Sequence, residues 1–403
     1  MKSYTTYFLM DINTVTGYVI EKLDMFTDGD KLHAEEIGDG NLNYVFRVKS
    51  SDKSVIVKQA GTTARISEDF KLSTDRIRIE SEALSIQGGF AEALVPAVYL
   101  YDPIMGCCIM EDLGQFSIMR GELIEGKIFP HFTDHITTFL AETLIRTSDV
   151  ILPHQEKKKV QSTFTNPELC EITEDLVYTE PFLNHFNRNI LTAGNESWMQ
   201  EALMEEQLHI EAAKLKFDFM TRGQALLHGD LHTGSIFVTE QETKVIDPEF
   251  AFYGPMGYDI GNIIANLIFA YTRSEVLKVN EQSEWLVQTI SSIVDGFLEK
   301  AKVIWNSDVL DPMAKQGPFR EWYLNSVIID TAGVAGLELI RRIVGLAKVA
   351  DITSLEHSER IIAERLCIAI AKRLIFEREQ ISSGNDFIEI IKSTLDIMKE
   401  ESR

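Results

Sequence analysis

The sequence has little cysteine, no long apolar run and no excess of basic residues, and each lack removes a class of function. Its four cysteines, Cys107, Cys108, Cys170 and Cys367, make no CxxC pair and no metal-ligand spacing. That argues against a disulfide scaffold or a cysteine-held zinc site, and free thiols in a reducing cytoplasm are the simplest account. Lysine and arginine number 39 against 62 aspartates and glutamates, a net charge of −23. A surface of that sign repels nucleic acid and anionic membrane, so neither is expected as a partner. The apolar run at 7–10 is ended at once by Asp11, too short and wrongly flanked for a signal peptide. The longest central run, 260–271, contains Asn262 and Asn266 and is too short to span a bilayer. There is no low-complexity tract and no internal repeat. A chain of 403 residues exceeds one compact core, so two packed units are expected.

What is present is a change of texture near residue 112. Ile12, Val15, Val19, Ile20 and Leu23 are spaced as a helix over 12–26, with Asn13 or Thr14 as its cap. Strands are predicted at 44–48 and 54–59 around the turn Ser51-Asp52-Lys53, then a charged helix over 74–87, then strands at 97–101 and 107–110. After Asp112 the pattern is helical, at 133–148, 199–220, 259–273, 284–301, 322–350, 358–378 and 385–400, interrupted by a β-rich stretch at 235–246. The fold class is therefore α+β: a small β-rich lobe at 1–111 and a larger, mostly helical lobe at 112–403, with a hinge near 110–113.

Four motifs lie along this frame. Gly38-Asp39-Gly40-Asn41-Leu42-Asn43 can form a tight hairpin whose backbone N–H groups approach phosphates closely. Asn43 stands where a third glycine would complete G-x-G-x-x-G, and asparagine is second to glycine in tolerating left-handed geometry. Alone, the stretch is also what an ordinary hairpin carries. One strand on, Val55-Ile56-Val57-Lys58 ends in a lysine placed to reach the α- and β-phosphates of ATP, although a strand-end lysine in isolation would simply snorkel. Glu80 or Glu82 of the following helix can pair with it, and we take Glu80.

His228-Gly229-Asp230 has the shape of a kinase catalytic loop, in which Asp230 orients the acceptor hydroxyl and takes its proton. His228 is expected to hold the loop by packing and hydrogen bonding. Five residues beyond Asp230, where a metal-binding asparagine is usual, stands Ser235, a poorer ligand. Asp247-Pro248-Glu249 supplies two carboxylates. Asp247 is expected to bind Mg2+ bridging the β- and γ-phosphates, and Glu249, on the same side of an extended segment, to provide the ligand that Ser235 does not. The order of the four motifs is that of a two-lobed protein-kinase-like fold using ATP and Mg2+.

Two longer stretches are more specific. Gly-Asp-Leu-His-Thr-Gly-Ser-Ile at 229–236 and Asp-Pro-Glu-Phe-Ala-Phe-Tyr-Gly-Pro-Met-Gly-Tyr-Asp-Ile-Gly at 247–261 closely resemble the 5-methylthioribose kinase family of methionine salvage, as do the loop at 38–43 and Met110-Glu111-Asp112-Leu113. The likeness runs over essentially the whole chain. It implies transfer of the γ-phosphoryl group of ATP to O1 of methylthioribose, magnesium dependence and a homodimer. It also implies that Glu111 and Leu113 border the nucleotide, that Arg341 and Arg342 contact the sugar or the moving phosphate, and that Trp198 belongs to a loop near the substrate. Aminoglycoside and choline kinases share the fold but usually carry asparagine where this chain has Ser235. An amino-alcohol or aminoglycoside kinase, whose cationic substrate would call for carboxylates, and a pseudokinase without turnover are the alternative readings.

The arginine pair can also be read from its surroundings. The segment 327–350 is apolar almost all round, as a buried helix is. Adjacent arginines lie about 100° apart on such a helix and need partners there. Glu338 is at i+3 and i+4 spacing from them and can satisfy one well, so at least one is expected to face a cleft.

Overall fold

The computed structural model describes residues 4–27, 29–37, 43–61 and 73–401. Helix α1 (Thr14–Lys22) is capped by neither Asn13 nor Thr14 but by Asp11, whose Oδ1 accepts the backbone N–H groups of Asn13 and Thr14 at 3.0 and 2.8 Å. Then come β1 (His33–Glu36), β2 (Asn43–Lys49), β3 (Ser54–Ala60), α2 (Arg76–Ala91), β4 (Val98–Asp102) and β5 (Cys107–Glu111). The strands form one antiparallel sheet in the order β1-β2-β3-β5-β4.

Side chains alternate across this sheet, and the alternation places Lys58. Val55 and Val57 of β3, with Cys107 and Ile109 of β5, pack with Val15, Tyr18 and Val19 of α1. Each aliphatic side chain buried this completely contributes roughly 1.5–3 kcal/mol relative to exposure. Ala60, Cys108 and Met110 face the other way and pack with Ile77 and Leu84 of α2. Lys58 shares that second face and so projects toward α2. At the end of the sheet Arg47 of β2 clamps the Asp112 carboxylate with two hydrogen bonds, 2.9 and 3.1 Å, which fixes where the chain leaves the sheet.

Beyond Asp112 come β6 (Ser117–Ile118), α3 (Met119–Ile124), α4 (Phe132–Leu140), α5 (His154–Thr163), α6 (Pro167–Leu176), α7 (Glu180–Leu183), α8 (Glu196–Leu203) and α9 (Glu206–Thr221). The loop region holds β7 (Ala225–Leu226), β8 (Ile236–Val238), β9 (Thr243–Val245) and β10 (Tyr253–Gly254). Helices α10 (Gly257–Leu277), α11 (Asn280–Asp308), α12 (Gly317–Val344), α13 (Ala350–Thr353), α14 (His357–Phe376) and α15 (Gly384–Glu401) complete the chain. Helices α10 and α12 approach closely because α10 carries Gly257 and Gly261: a Cβ at either would stand 2.6 or 2.8 Å from backbone atoms of Thr331 in α12.

The helix predicted at 199–220 is two helices, broken at Met204 and Glu205, and the one predicted to 350 stops at Val344, before Gly345. Helices α3, α5, α6, α7 and α13 were not legible as such. They are short, and α5 buries only Lys157, so no apolar stripe marks it.

Candidate active site

Lys58 meets two elements at once. Its Nζ lies 2.8 Å from Glu80 Oε2 on α2 and is also hydrogen-bonded to Asp247, whereas Glu82 pairs with Arg78 at 2.9 Å. Burial disfavours the ammonium, but Asp247, Glu80 and Glu249 outweigh it and hold the Lys58 pKa well above the ordinary lysine value. Three carboxylates gather around Lys58, with Arg76 Nε 3.7 Å from Glu249 Oε2 as a second cation. Burial, against the attraction of Lys58, pushes Glu80 up to about 8, and burial with the Asp247 charge pushes Glu249 up to about 6.

Glu80, Asp247 and Glu249 bring one oxygen each within 4.8 Å of one another. Their excess negative charge and all-oxygen donor set fit a hard divalent cation. The proximity of Asp247 and Glu249 does not come from strand alternation. Asp247 has a φ of 68°, in the left-handed region, and Glu249 sits in the turn that follows. A left-handed non-glycine residue is costly and persists where the surroundings hold it, here by the Lys58 contact.

Asn43 likewise acts through its side chain. It begins strand β2. Its amide donates to Glu249 Oε2 at 2.9 Å and accepts from Arg76 Nε at 3.0 Å. Asn43 thereby ties β2 and α2 to the Asp247-Pro248-Glu249 turn. Gly38, Asp39, Gly40 and Asn41 lie outside the described residues. Glu111, at the end of β5, receives the Ala97 N–H at 3.1 Å and the Lys244 ammonium at 3.2 Å, and Leu113 is buried.

The His228-Gly229-Asp230 loop is built on Asp259, which no local motif marks. Its two oxygens accept the backbone N–H groups of His228 and Gly229 at 2.7 and 3.0 Å. Gly229 has a φ of 84°, and a Cβ there would stand 2.2 Å from the carbonyl oxygen of Phe250. His228 bridges the loop to the strand before Asp247, its Nε2 donating to the Ile246 carbonyl at 2.9 Å while its Nδ1 accepts the Asp230 N–H at 3.2 Å. Ser235 turns back into the loop: its Oγ donates to the Asp230 carbonyl at 3.1 Å.

Asp230 lies among donors. His232 Nδ1 accepts the Gly234 N–H at 3.0 Å, which leaves Nε2 protonated and facing Asp230 Oδ2 at 3.4 Å. Burial keeps the charged form of His232 disfavoured, so its part is a hydrogen bond and the permanent charges are the guanidiniums. Arg341 Nη2 and Arg342 Nη2 each stand 3.8 Å from Asp230 Oδ1. Burial pushes the Asp230 carboxyl up, but His232, Arg342 and Arg341 outweigh it and hold it below the usual carboxylate range.

Glu338 arranges the pair. Its Oε1 accepts Arg342 Nε at 2.8 Å and its Oε2 accepts Arg341 Nε. One carboxylate thus serves both arginines through their Nε atoms, where the spacing predicts that it satisfies one well, and the remaining guanidinium edges point at Asp230. Trp198 meets a different set of residues: the Arg365 guanidinium stands 5.4 Å over its ring, beside the large hydrophobic core. Asp259 and the doubled use of Glu338 could not be found locally, because their partners lie across 30 residues or require two side chains to turn together.

The sequence profile of the Phosphotransferase enzyme family matches residues 33–285. A methylthioribose kinase of Geobacillus sp. (strain WCH70) is 44% identical over 380 residues, covering 93% of each chain. One of Bacillus cereus (strain 03BB102) is 43% identical over 343 residues, 84% of this chain and 86% of that one. Among solved structures, a choline kinase from Cryptosporidium parvum Iowa II superposes with a TM-score of 0.50 over 97% of this chain and 95% of that one, at 14% identity, a likeness of fold. With its two-lobed architecture and its Lys58–Asp230–Asp247 frame, this chain belongs to the methylthioribose kinases of the phosphotransferase enzyme family.

Proposed function

We propose that this protein transfers the γ-phosphoryl group of ATP to O1 of 5-methylthioribose, giving 5-methylthioribose 1-phosphate and ADP. The observation that carries this is the 44% identity across 93% of the chain to a methylthioribose kinase. The geometry supports it: a cationic acceptor would meet two buried guanidiniums beside Asp230, while a neutral sugar offers them oxygen lone pairs.

In this reading the boundary between lobes falls at 111/112. Lys58, set by Glu80, binds the α- and β-phosphates under the glycine-rich loop, where Gly38, Asp39, Gly40 and Asn41 are assigned to the nucleotide with Asn43, Glu111 and Leu113. Asp247 and Glu249 would hold Mg2+, which when bound would neutralise charge on the β- and γ-phosphates. Asp230 accepts a hydrogen bond from the O1 hydroxyl and aims it at phosphorus. A carboxylate held below its usual range is a weak base, so orientation comes first and the proton follows as the O1–P bond forms and the bond to ADP breaks. Arg341 and Arg342 hold the sugar or the phosphoryl group, and Trp198 belongs to the acceptor loop. The proposal includes a homodimer in the cytoplasm, checked by light scattering and by fractionation. Among the described residues no helix is long and apolar enough to cross a membrane.

An ATPase-coupled assay over methylthioribose, ribose, choline and an aminoglycoside tests the function. Methylthioribose should have the highest kcat/KM. Choline or the aminoglycoside in that place would overturn the assignment.

A further inference from the structure

Arg120, at the start of α3, brings a third, partly buried guanidinium to the edge of the loop that carries Asp230. Its Nη2 donates to Asn266 Oδ1 at 2.9 Å. Its Nη1 lies against Gly234, where a Cβ would stand 3.0 Å from that nitrogen and 2.8 Å from the His232 ring. Glycine at 234 therefore leaves room for the guanidinium beside the histidine that faces Asp230.

On its other side Arg120 Nε faces Asp351 Oδ2 at 3.5 Å, longer than the roughly 2.8 Å of a closed charge-assisted bond. Asp351 is 1% exposed, and among the described residues neither its carboxylate oxygens nor Arg120 Nε has a hydrogen-bond partner. A carboxylate buried so deeply is tolerated only against positive charge, which Arg120 supplies together with Arg273 and Arg342. The charges that act on Arg120 are those of Asp351, Arg342, Asp230 and Glu338, so it belongs to the same electrostatic cluster as the arginine pair.

Asp230 thus has two guanidiniums at 3.8 Å and a third beside its histidine neighbour, and all three offer only N–H. Glu338 occupies one edge of Arg341 and of Arg342, while on Arg120 Asp351 faces Nε and Asn266 takes Nη2, which leaves Nη1 beside Gly234. Three such groups exceed what a neutral sugar needs, and they match the several anionic oxygens of a phosphate ester. We propose that Arg120 contacts the phosphoryl group as it arrives on the acceptor, completing with Arg341 and Arg342 a three-guanidinium seat for the phosphate ester product, with Asp351 as its positioning residue. The proposal rests on the phosphotransferase reading above. Arg120 makes and breaks no covalent bond: the acceptor O–P bond forms, the P–O bond to ADP breaks, and Arg120 contributes hydrogen bonds that strengthen as charge moves onto the transferred group.

The test is calorimetry on the ADP-loaded wild type, Arg120→Gln, Arg120→Lys, Asp351→Asn and the double variant Arg120→Gln with Asp351→Asn, titrated with methylthioribose, methylthioribose 1-phosphate and inorganic phosphate. Arg120→Gln should lose roughly tenfold to a hundredfold in affinity for both phosphates and keep sugar affinity within about twofold. Arg120→Lys should recover part of the loss. Asp351→Asn should show a smaller loss of the same kind, and none in addition to that of Arg120→Gln. Equal losses for sugar and sugar phosphate, or a lowered Tm with phosphate affinity intact, would overturn the proposal. A wild type that does not phosphorylate methylthioribose would remove the acceptor assignment, while the inorganic phosphate titration would still decide on Arg120: equal binding by wild type and Arg120→Gln counts against it.

Discussion

Glu338 Oε1 accepts the Nε of Arg342 at 2.8 Å, and that bond leaves the outer edge of the guanidinium facing Asp230, 3.8 Å away. Because the same carboxylate also takes Arg341 Nε, one fully buried residue sets the aim of both guanidiniums beside Asp230. Glu338→Gln should therefore lower stability by about 3–5 kcal/mol, the range for uncompensating a buried ion pair, and should also lower kcat/KM. Urea denaturation and steady-state kinetics check this. A loss under about 1 kcal/mol, the range of exposed pairs, would mean that the arginines do not depend on it.

Asp230→Asn keeps the shape of the side chain and removes the proton acceptor. It should fold, bind ATP and lose roughly 10²–10⁴ in kcat. Near-normal turnover would remove Asp230 from its role.

Asp247→Ala and Glu249→Ala should each weaken nucleotide binding with magnesium more than nucleotide binding without it, since both lie in the carboxylate cluster. Calorimetry with and without the metal separates the two. Equal losses in both titrations would speak for a structural turn.

The same cluster makes a pH prediction. Glu80 at about 8 and Glu249 at about 6 stand above the unfolded carboxylate value near 4.3, so the folded state binds these protons more tightly. Stability of the metal-free, nucleotide-free protein should then fall as pH rises from about 4.3, with the part above about 6 belonging to Glu80 and ending near 8. Denaturation across this range in the presence of a chelator should show a shallower slope between pH 6 and 8 for Glu80→Gln than for wild type. Identical slopes would mean that Glu80 is ionised throughout.

Much of this arrangement was legible before the fold was known, for a physical reason. Lys58 follows an apolar strand, Asp230 follows His-Gly, and Asp247 precedes Pro-Glu, so each has a local signature. The alternation of β3 then sends Lys58 to the α2 face. What was not legible depends on distant partners or local strain. Asp11 caps α1 from outside the predicted start, Asn43 serves as a bridging amide rather than a turn residue, and Asp247 owes its neighbour to a left-handed φ of 68°. Arg120 and Asp351 sit on helices of six and four residues, too short for any periodicity to reveal.

The most direct test of the central claim is phosphorus NMR of the product formed by wild-type protein from ATP, Mg2+ and methylthioribose. The account predicts one new phosphate ester signal, coupled to the anomeric proton and growing in step with ADP. Phosphate on another hydroxyl, or ADP accompanied only by inorganic phosphate, would contradict it.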